Sequence, residues 1–319
     1  MILVVAPEQP IWLPSLLAHD ELDLDPAHVQ LVTIPTFVRR STTLWARGRA
    51  DRRLAGRFWL RHLADRRATR RVAPTTTVVC ASSCAAQRVF AAARRRDPSV
   101  RCVLVEDLPD LRRLHADLDQ AAAAHPEARF LRRYRASRAE IARQQAERVL
   151  ADTIVVRGRH AYEARVEDGV DTEHLVALVG DLDVDAAPRP VAATPVVLLG
   201  GLAAARSGLF EALALVDQLP DIELVVRVGE GLEPADALAR ARVRAGTSSE
   251  ISSLDGIDLV IAPSWCETDL PQLVVAARRG VPIVATSRAS GFLDASAVRL
   301  VYPGDVAALV DAVRSAIAR

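Results

Sequence analysis

Residues 257–288 read IDLVIAPSWCETDLPQLVVAARRGVPIVATSR, and their pattern decides the fold. LVIA at 259–262 is a short apolar run that stops at Pro263-Ser264, and VPIVAT at 281–286 is a second such run. Between them Leu273, Val274 and Ala277 recur at helical spacing until Gly280 ends the pattern. Strand, acidic turn, helix and strand in this order make a βαβ unit with parallel strands. Ligands of such sheets gather at the carboxyl ends of the strands. Glu267 stands at that end, in the turn that begins with Pro263.

The same alternation extends outward along the chain. Apolar runs at 2–6, 29–34, 77–81, 102–105, 153–156 and 174–178 read as strands of a first domain. AAPRPVAATP at 186–195 reads as a linker, and 196–199, 223–227, 259–262, 282–285 and 299–301 read as strands of a second domain. Helical patterns fill the gaps, notably at 84–95, 127–150, 207–218, 233–243 and 304–318. The expected architecture is α/β, with two Rossmann-like doubly wound domains facing a cleft. Residues 1–185 form the first and 186–319 the shorter second, whose last helix packs as a final layer or crosses back.

Composition narrows the chemistry. The chain has 319 residues, half of them apolar and a quarter charged, with a net charge of +1, so no global field argues for nucleic acid. All 41 basic residues are arginines, which removes Schiff-base and P-loop lysine chemistry. No apolar run approaches the roughly 18–20 residues that span a bilayer, and MILVVAPEQP reads as a first strand, so a cytoplasmic location is expected. Cys80, Cys84, Cys102 and Cys266 lack paired spacing, which gives neither a disulfide framework nor a zinc site, and the seven histidines show no metal-ligand spacing. A nucleophile elbow and the dehydrogenase glycine fingerprint are both missing.

The segment at 257–288 resembles the donor-binding signature of GT-B fold glycosyltransferases of the family 4 type, which are retaining and use nucleotide sugars. Asp258, Pro263-Ser264, Glu267, Gly280-Val281-Pro282 and Ala285-Thr286 fall in register with it. The resemblance implies that Glu267 contacts the transferred sugar. The glutamate that grips the nucleotide ribose in that group is replaced here by Val275. VVLLGGLAAARSGLFEALALV at 196–216 resembles the segment that opens the donor domain. Gly200 and Leu202 match, the phosphate-binding Arg position is Gly201, and the Lys position is Arg206. An arginine with a helix N-terminus suits a departing diphosphate, although Arg206 reads equally as an exposed arginine near a helix start. Gly229 in GEG (229–231) follows a strand as in that group, and by itself is a turn signal.

A second stretch of similarity lies at 102–170, where Asp107-Leu108-Pro109, Pro126-Glu127, Glu147, Ala151-Asp152 and Gly169-Val170 occur in order. Glu106 and Asp107 close a strand, and adjacent carboxylates there suit acceptor hydroxyls or proton transfer. The plainer reading of the pair is a turn cap beside a solvated acid. Glu147 and Asp152 read as structural. The opening loop APEQPIWLP lacks the glycine pair that many such enzymes carry after their first strand. Residues 39–71 hold twelve arginines against two aspartates, with Leu54, Phe58, Trp59 and Leu63 near helical spacing. That suits peripheral contact with a membrane or an acidic protein, against the plainer reading of a packed helix with a solvated arginine face.

The expected function is transfer of a sugar, with retention, from a nucleotide diphosphate sugar to a glycan, lipid-linked or small-molecule acceptor. The nucleotide sugar is a co-substrate, and the resemblance implies neither a cofactor nor a metal, since in that group side chains and helix ends stabilise the leaving diphosphate. The alternative is a non-catalytic GT-B-like protein that partners or regulates an active enzyme or a membrane assembly. Val275 and Gly201 are the residues that keep this alternative open.

Overall fold

The computed structural model describes residues 1–6, 13–18, 22, 24–33, 52–107, 109–128, 131–178, 192–228, 242–266, 270–291, 293 and 297–318. They form two compact units, each around its own sheet. Unit 1 is Met1–His115, Arg133–Arg157 and Ala161–Val179; unit 2 is Ala116–Arg132, Gly158–His160 and Gly180–Arg319.

The sheet of unit 1 contains β1 (Ile2–Val5), β2 (Val29–Val32), β3 (Val78–Ser82), β4 (Arg101–Glu106), β5 (Thr153–Val156) and β6 (Leu175–Ala177). Their order is β2-β1-β3-β4-β5-β6, with every pairing parallel. Unit 2 contains β7 (Val196–Leu199), β8 (Glu223–Val226), β9 (Val243–Ala245), β10 (Leu259–Ala262), β11 (Ile283–Thr286) and β12 (Arg299–Val301). Their order is β12-β11-β10-β7-β8-β9, again all parallel. The order reverses between β1 and β3 in one sheet and between β7 and β10 in the other. Each reversal is a switch point at which such sheets bind ligands.

The helices are α1 (Leu13–Leu17), α2 (Arg52–Thr69), α3 (Gln87–Arg96), α4 (Leu111–Ala124), α5 (Arg138–Leu150), α6 (Arg159–Glu167), α7 (Leu209–Gln218), α8 (Ser248–Ser253), α9 (Pro271–Arg278) and α10 (Val306–Ile317). They cover both faces of the sheets, which is why the strands are apolar at nearly every position. In unit 2, Val197 and Leu199 turn to a core shared with Leu209 and Leu213 of α7 and Leu309 and Val313 of α10. Leu198, Val260 and Ala262 turn the other way, against Ile251 of α8 and Leu273, Ala276 and Ala277 of α9. In unit 1, Leu3, Val79 and Leu104 meet Ala64 and Ala68 of α2 and Phe90 of α3, while Val4, Cys80 and Val103 meet Leu16 of α1. A buried Leu, Val or Phe contributes about 1.5–3 kcal/mol, so these four layers carry most of the stabilisation.

The two doubly wound α/β units are those expected from the strand pattern. Local departures have local causes. The helix expected at 127–150 is broken into a 3-10 turn at Leu131–Tyr134 and α5, because Ser137 starts a new helix with a capping box. The Ser137 hydroxyl accepts from the Glu140 amide at 3.3 Å and Glu140 accepts from the Ser137 amide at 2.6 Å. The end of the helix expected at 233–243 is instead β9, a three-residue edge strand, while 233–241 lie outside the described residues. Only Val243 and Ala245 are apolar in β9, so an edge position leaves almost no pattern to read. All four cysteines are buried free thiols.

Candidate functional site

The switch point of unit 2 brings together four of the residues singled out above. β7 ends at Leu199, and the Gly200 amide donates to the Ile261 carbonyl of β10 at 2.8 Å. A side chain on Gly200 would meet that carbonyl oxygen and Leu270 at 3.3 Å. Gly201 has φ +88°, a left-handed conformation that glycine adopts without strain, and a Cβ there would lie 3.2 Å from Leu270. An arginine, the residue that the resemblance implies at this position, would be strained here. The chain then makes a 3-10 turn at Ala205–Ser207 and enters α7 through Gly208 at φ +82°. Gly208 lies so close to β10's exit that a Cβ would sit 2.3 Å from the Pro263 carbonyl oxygen.

Hydrogen bonds stitch the two turns together. The Arg206 carbonyl accepts from the Trp265 amide at 3.0 Å. The Ser264 hydroxyl lies between two acceptors, the Arg206 carbonyl at 3.0 Å and the Cys266 carbonyl at 2.8 Å. Thr286, at the end of β11, donates to the Ser264 carbonyl at 2.8 Å. Ser264 is thus placed at the site but spends its hydroxyl on the backbone. Arg206 is half-buried and, with Arg288, lies near enough to Cys266 to oppose the effect of burial, which pushes that thiol up to about 12. Among the described residues no side chain caps the N-terminus of α7 or α9. Gly229 and Glu267 lie outside the described residues.

Beneath this loop is a cluster that the sequence did not announce. Glu211, in the first turn of α7, is 1% exposed. Its Oε1 accepts from Trp265 Nε1 at 2.8 Å and is 2.6 Å from His125 Nε2. The His125 ring stacks on Phe210 with centroids 4.8 Å apart and meets Trp265 edge-on at 6.0 Å. The bond to Glu211 outweighs burial and raises the His125 pKa above its ordinary value. Arg288 donates to the Trp265 carbonyl and pairs with Asp117 at 3.0 Å. Trp265 and Arg288 lie in the segment at 257–288, but Glu211 and His125 are 54 and 140 residues from Trp265, and no spacing rule connects them.

In unit 1 the adjacent carboxylates Glu106 and Asp107 part company. Asp107 accepts both ends of the Arg61 guanidinium, at 2.9 and 3.1 Å. Glu106 is buried and pairs with Arg148 at 2.5 Å and Arg165 at 3.5 Å. Both arginines also reach Asp110, at 2.6 and 2.9 Å. Burial works to raise the Asp110 carboxyl, but the Arg113 amide and the two arginines prevail and hold it well below the usual range. The turn from β3 into α3 is closed by Glu147, which accepts from the Cys84, Ala86 and Gln87 amides at 2.6, 2.9 and 3.0 Å. Asp65 accepts from the next two amides, Val89 at 2.8 Å and Arg88 at 3.1 Å, and Arg143 bonds both carboxylates. Among the described residues no cluster of three or more His, Cys, Asp or Glu is arranged to hold a metal ion.

No protein-family model matches the chain, and no curated protein matches it. Solved structures do. The lipopolysaccharide outer core galactosyltransferase WaaB in its apo form aligns with a TM-score of 0.57 at 11% identity, covering 100% of this chain and 90% of its own. The α,α-trehalose-phosphate synthase (UDP-forming) from Burkholderia vietnamiensis aligns at 0.56 and 10% identity, covering 99% and 91%. A putative UDP-N-acetylglucosamine 2-epimerase from Listeria monocytogenes aligns at 0.52 and 15% identity, covering 100% and 88%. At these identities the likeness is one of fold, and the fold is GT-B. An epimerase beside transferases makes the point that this fold serves more than one reaction.

Proposed function

We propose that the chain is a retaining, nucleotide-sugar-dependent glycosyltransferase whose donor is held by unit 2. The observation that carries this reading is the convergence of Gly200, Gly201, Arg206 and Ser264 at the β7–β10 switch point of a GT-B fold. Sugar transfer from a nucleotide diphosphate sugar requires the negative charge growing on the diphosphate to be neutralised. In this reading Arg206 and the α7 N-terminus supply that charge, without a metal. Gly200 and Gly201 let the backbone approach the phosphates closely. Glu267, directly after Cys266, holds the transferred sugar. Glu106 and Asp107 are already paired with arginines, so they serve the framework of unit 1 and the contacts to a glycan, lipid-linked or small-molecule acceptor fall to other groups.

Calorimetric titration with nucleoside diphosphates tests this. Binding in the micromolar to millimolar range is expected, weakened about 10- to 100-fold by Arg206→Ala, the worth of one charge-assisted contact. No binding of any nucleoside diphosphate at millimolar concentration would overturn it.

A second reading, a non-catalytic partner of an active enzyme, is favoured by Val275. This residue is half-buried and packs against the core of unit 2, where the resemblance implies a ribose-binding glutamate. Loss of a measured transferase activity in Glu267→Ala, with the fold intact, would dispose of that reading. Either way, α2 offers a peripheral contact to an anionic membrane through Trp59, which is 50% exposed. Co-sedimentation with anionic vesicles that Trp59→Ser leaves unchanged would rule that contact out.

A further inference from the structure

α2 and α3 lie side by side against the sheet of unit 1, with Asp65 of α2 level with the first turn of α3. On their solvent side runs a trough of about 690 Å³ lined by Arg66, Thr69, Arg70, Gln87, Arg88, Ala91 and Arg95. Its geometry follows from helical spacing. Arg66 and Arg70, four residues apart, stand about 6 Å apart along α2, and Arg88 and Arg95, seven apart, about 10 Å along α3. Thr69 and Ala91 are small, so arginines form the sides of the trough and short side chains its floor.

No carboxylate among the described residues lines the trough. Among the described residues none of its four guanidinium groups forms an ion pair, and the acid on the same stretch of α2, Asp65, is fully buried and turned to Arg143 and the α3 amides. The local positive field shows in the neighbouring His62, which burial together with Arg143, Arg88 and Arg66 holds down to about 4. Four unpaired arginines facing one another across a trough repel in the empty protein, and a multiply charged anion relieves that repulsion.

We propose that this trough is a binding site for a soluble ligand carrying two or more phosphate groups, gripped from both walls by Arg66, Arg70, Arg88 and Arg95. Guanidinium forks match phosphate oxygens two at a time, and the cavity has the size of ordinary small-molecule sites. The lining favours this class over others. Among the described residues it contains no large apolar side chain to enter a bilayer, and no aromatic ring on which a nucleobase would stack. The site goes beyond the donor site, belongs to the other unit, and does not depend on the transferase reading.

The test is calorimetric titration of the full chain with sodium tripolyphosphate at 150 mM NaCl. Saturable binding is expected, weakened at least about tenfold in the double variant Arg66→Ser/Arg95→Ser, since each arginine supplies a charge-assisted contact that salt only partly screens. Both positions are exposed surface arginines, and circular dichroism of the variant confirms its fold. Arg206→Ala retains the isotherm. The proposal falls if wild type shows no saturable binding up to 10 mM, if the double variant binds as well as wild type, or if Arg206→Ala alone abolishes binding. It falls also if the protein binds phosphatidylglycerol vesicles through these arginines but not tripolyphosphate, for then the source of the phosphate is a membrane.

Discussion

The helices after β3 and after β10 start at equivalent places, each beside its sheet's first strand on the side where the order reverses, yet their N-termini are treated in opposite ways. At α3, five successive or near-successive amides point at Glu147 and Asp65, both fully buried. At α9 the N-cap is Leu270 followed by Pro271, and no described side chain caps it; α7, which enters the same switch point, starts after Gly208 and is likewise without a cap among the described residues. The first four amides of any helix attract an anion. Unit 1 answers that demand with its own carboxylates; in unit 2 no described side chain caps α7 or α9, and in the proposed reading the donor diphosphate would take that place. Two similar sheets thus differ at their switch points in the placement of two acids.

Glu147→Ala attacks the closed side of this comparison and should have the largest effect. It strands three amides and part of the Arg143 charge in a dry interior, and removal of one partner from a buried ionic group costs about 3–5 kcal/mol. Urea denaturation should show it. Sulfate at tens of millimolar should return part of the loss, because the vacated helix terminus then accepts an external anion. A loss below about 1 kcal/mol would mean that the carboxylate is not what closes the turn.

Gly208→Ala probes the open side and should cost less, about 1–3 kcal/mol. Its cause is double: a left-handed φ and a Cβ placed on the Pro263 carbonyl. Because the same contact fixes the spacing of β7's exit from β10's, the variant should also weaken nucleoside diphosphate binding. Unchanged stability and unchanged binding would break the link drawn here between this glycine and the site.

What could be read beforehand follows the same division. The strands, the two-unit plan and the positions of Gly200, Arg206 and Ser264 are local in the chain, and periodicity or a neighbouring motif exposes them. Glu147 serves amides about sixty residues upstream, and Asp65 serves others about twenty downstream, so no window of sequence shows that the acids belong together. The Glu106-Asp107 pair looked like one feature because its members are adjacent; successive strand-end residues point to opposite sides, and each found its own arginine. The arginine trough was half-visible in the basic run at 39–71, but its other wall, Arg88 and Arg95, lies beyond that run. Contacts across a fold are set by packing, which a linear pattern does not record.

The smallest effect sharpens the comparison by showing how the open site is supported. His125 belongs to Ala116–Arg132, the stretch that joins unit 2, and its bond to Glu211 holds the carboxylate that also holds Trp265. Its pKa is raised above 6.5 in the folded chain, so folding favours the protonated ring. The stability this contributes is complete below pH 6.5, the unfolded value, and is lost as pH rises through the higher folded value. His62 acts in the opposite sense and in another window: held down to about 4 by burial first and then by Arg143, Arg88 and Arg66, it withdraws stability as pH falls from 6.5 toward 4. The two histidines together should therefore add stability, measured as the denaturation midpoint, from pH 4 to 6.5 and withdraw it above. In His125→Gln the upper decline should flatten while the lower rise persists. Equal slopes above pH 6.5 in the two proteins would show that the imidazole is neutral in its bond to Glu211, and that the clamp under Trp265 holds without a charge.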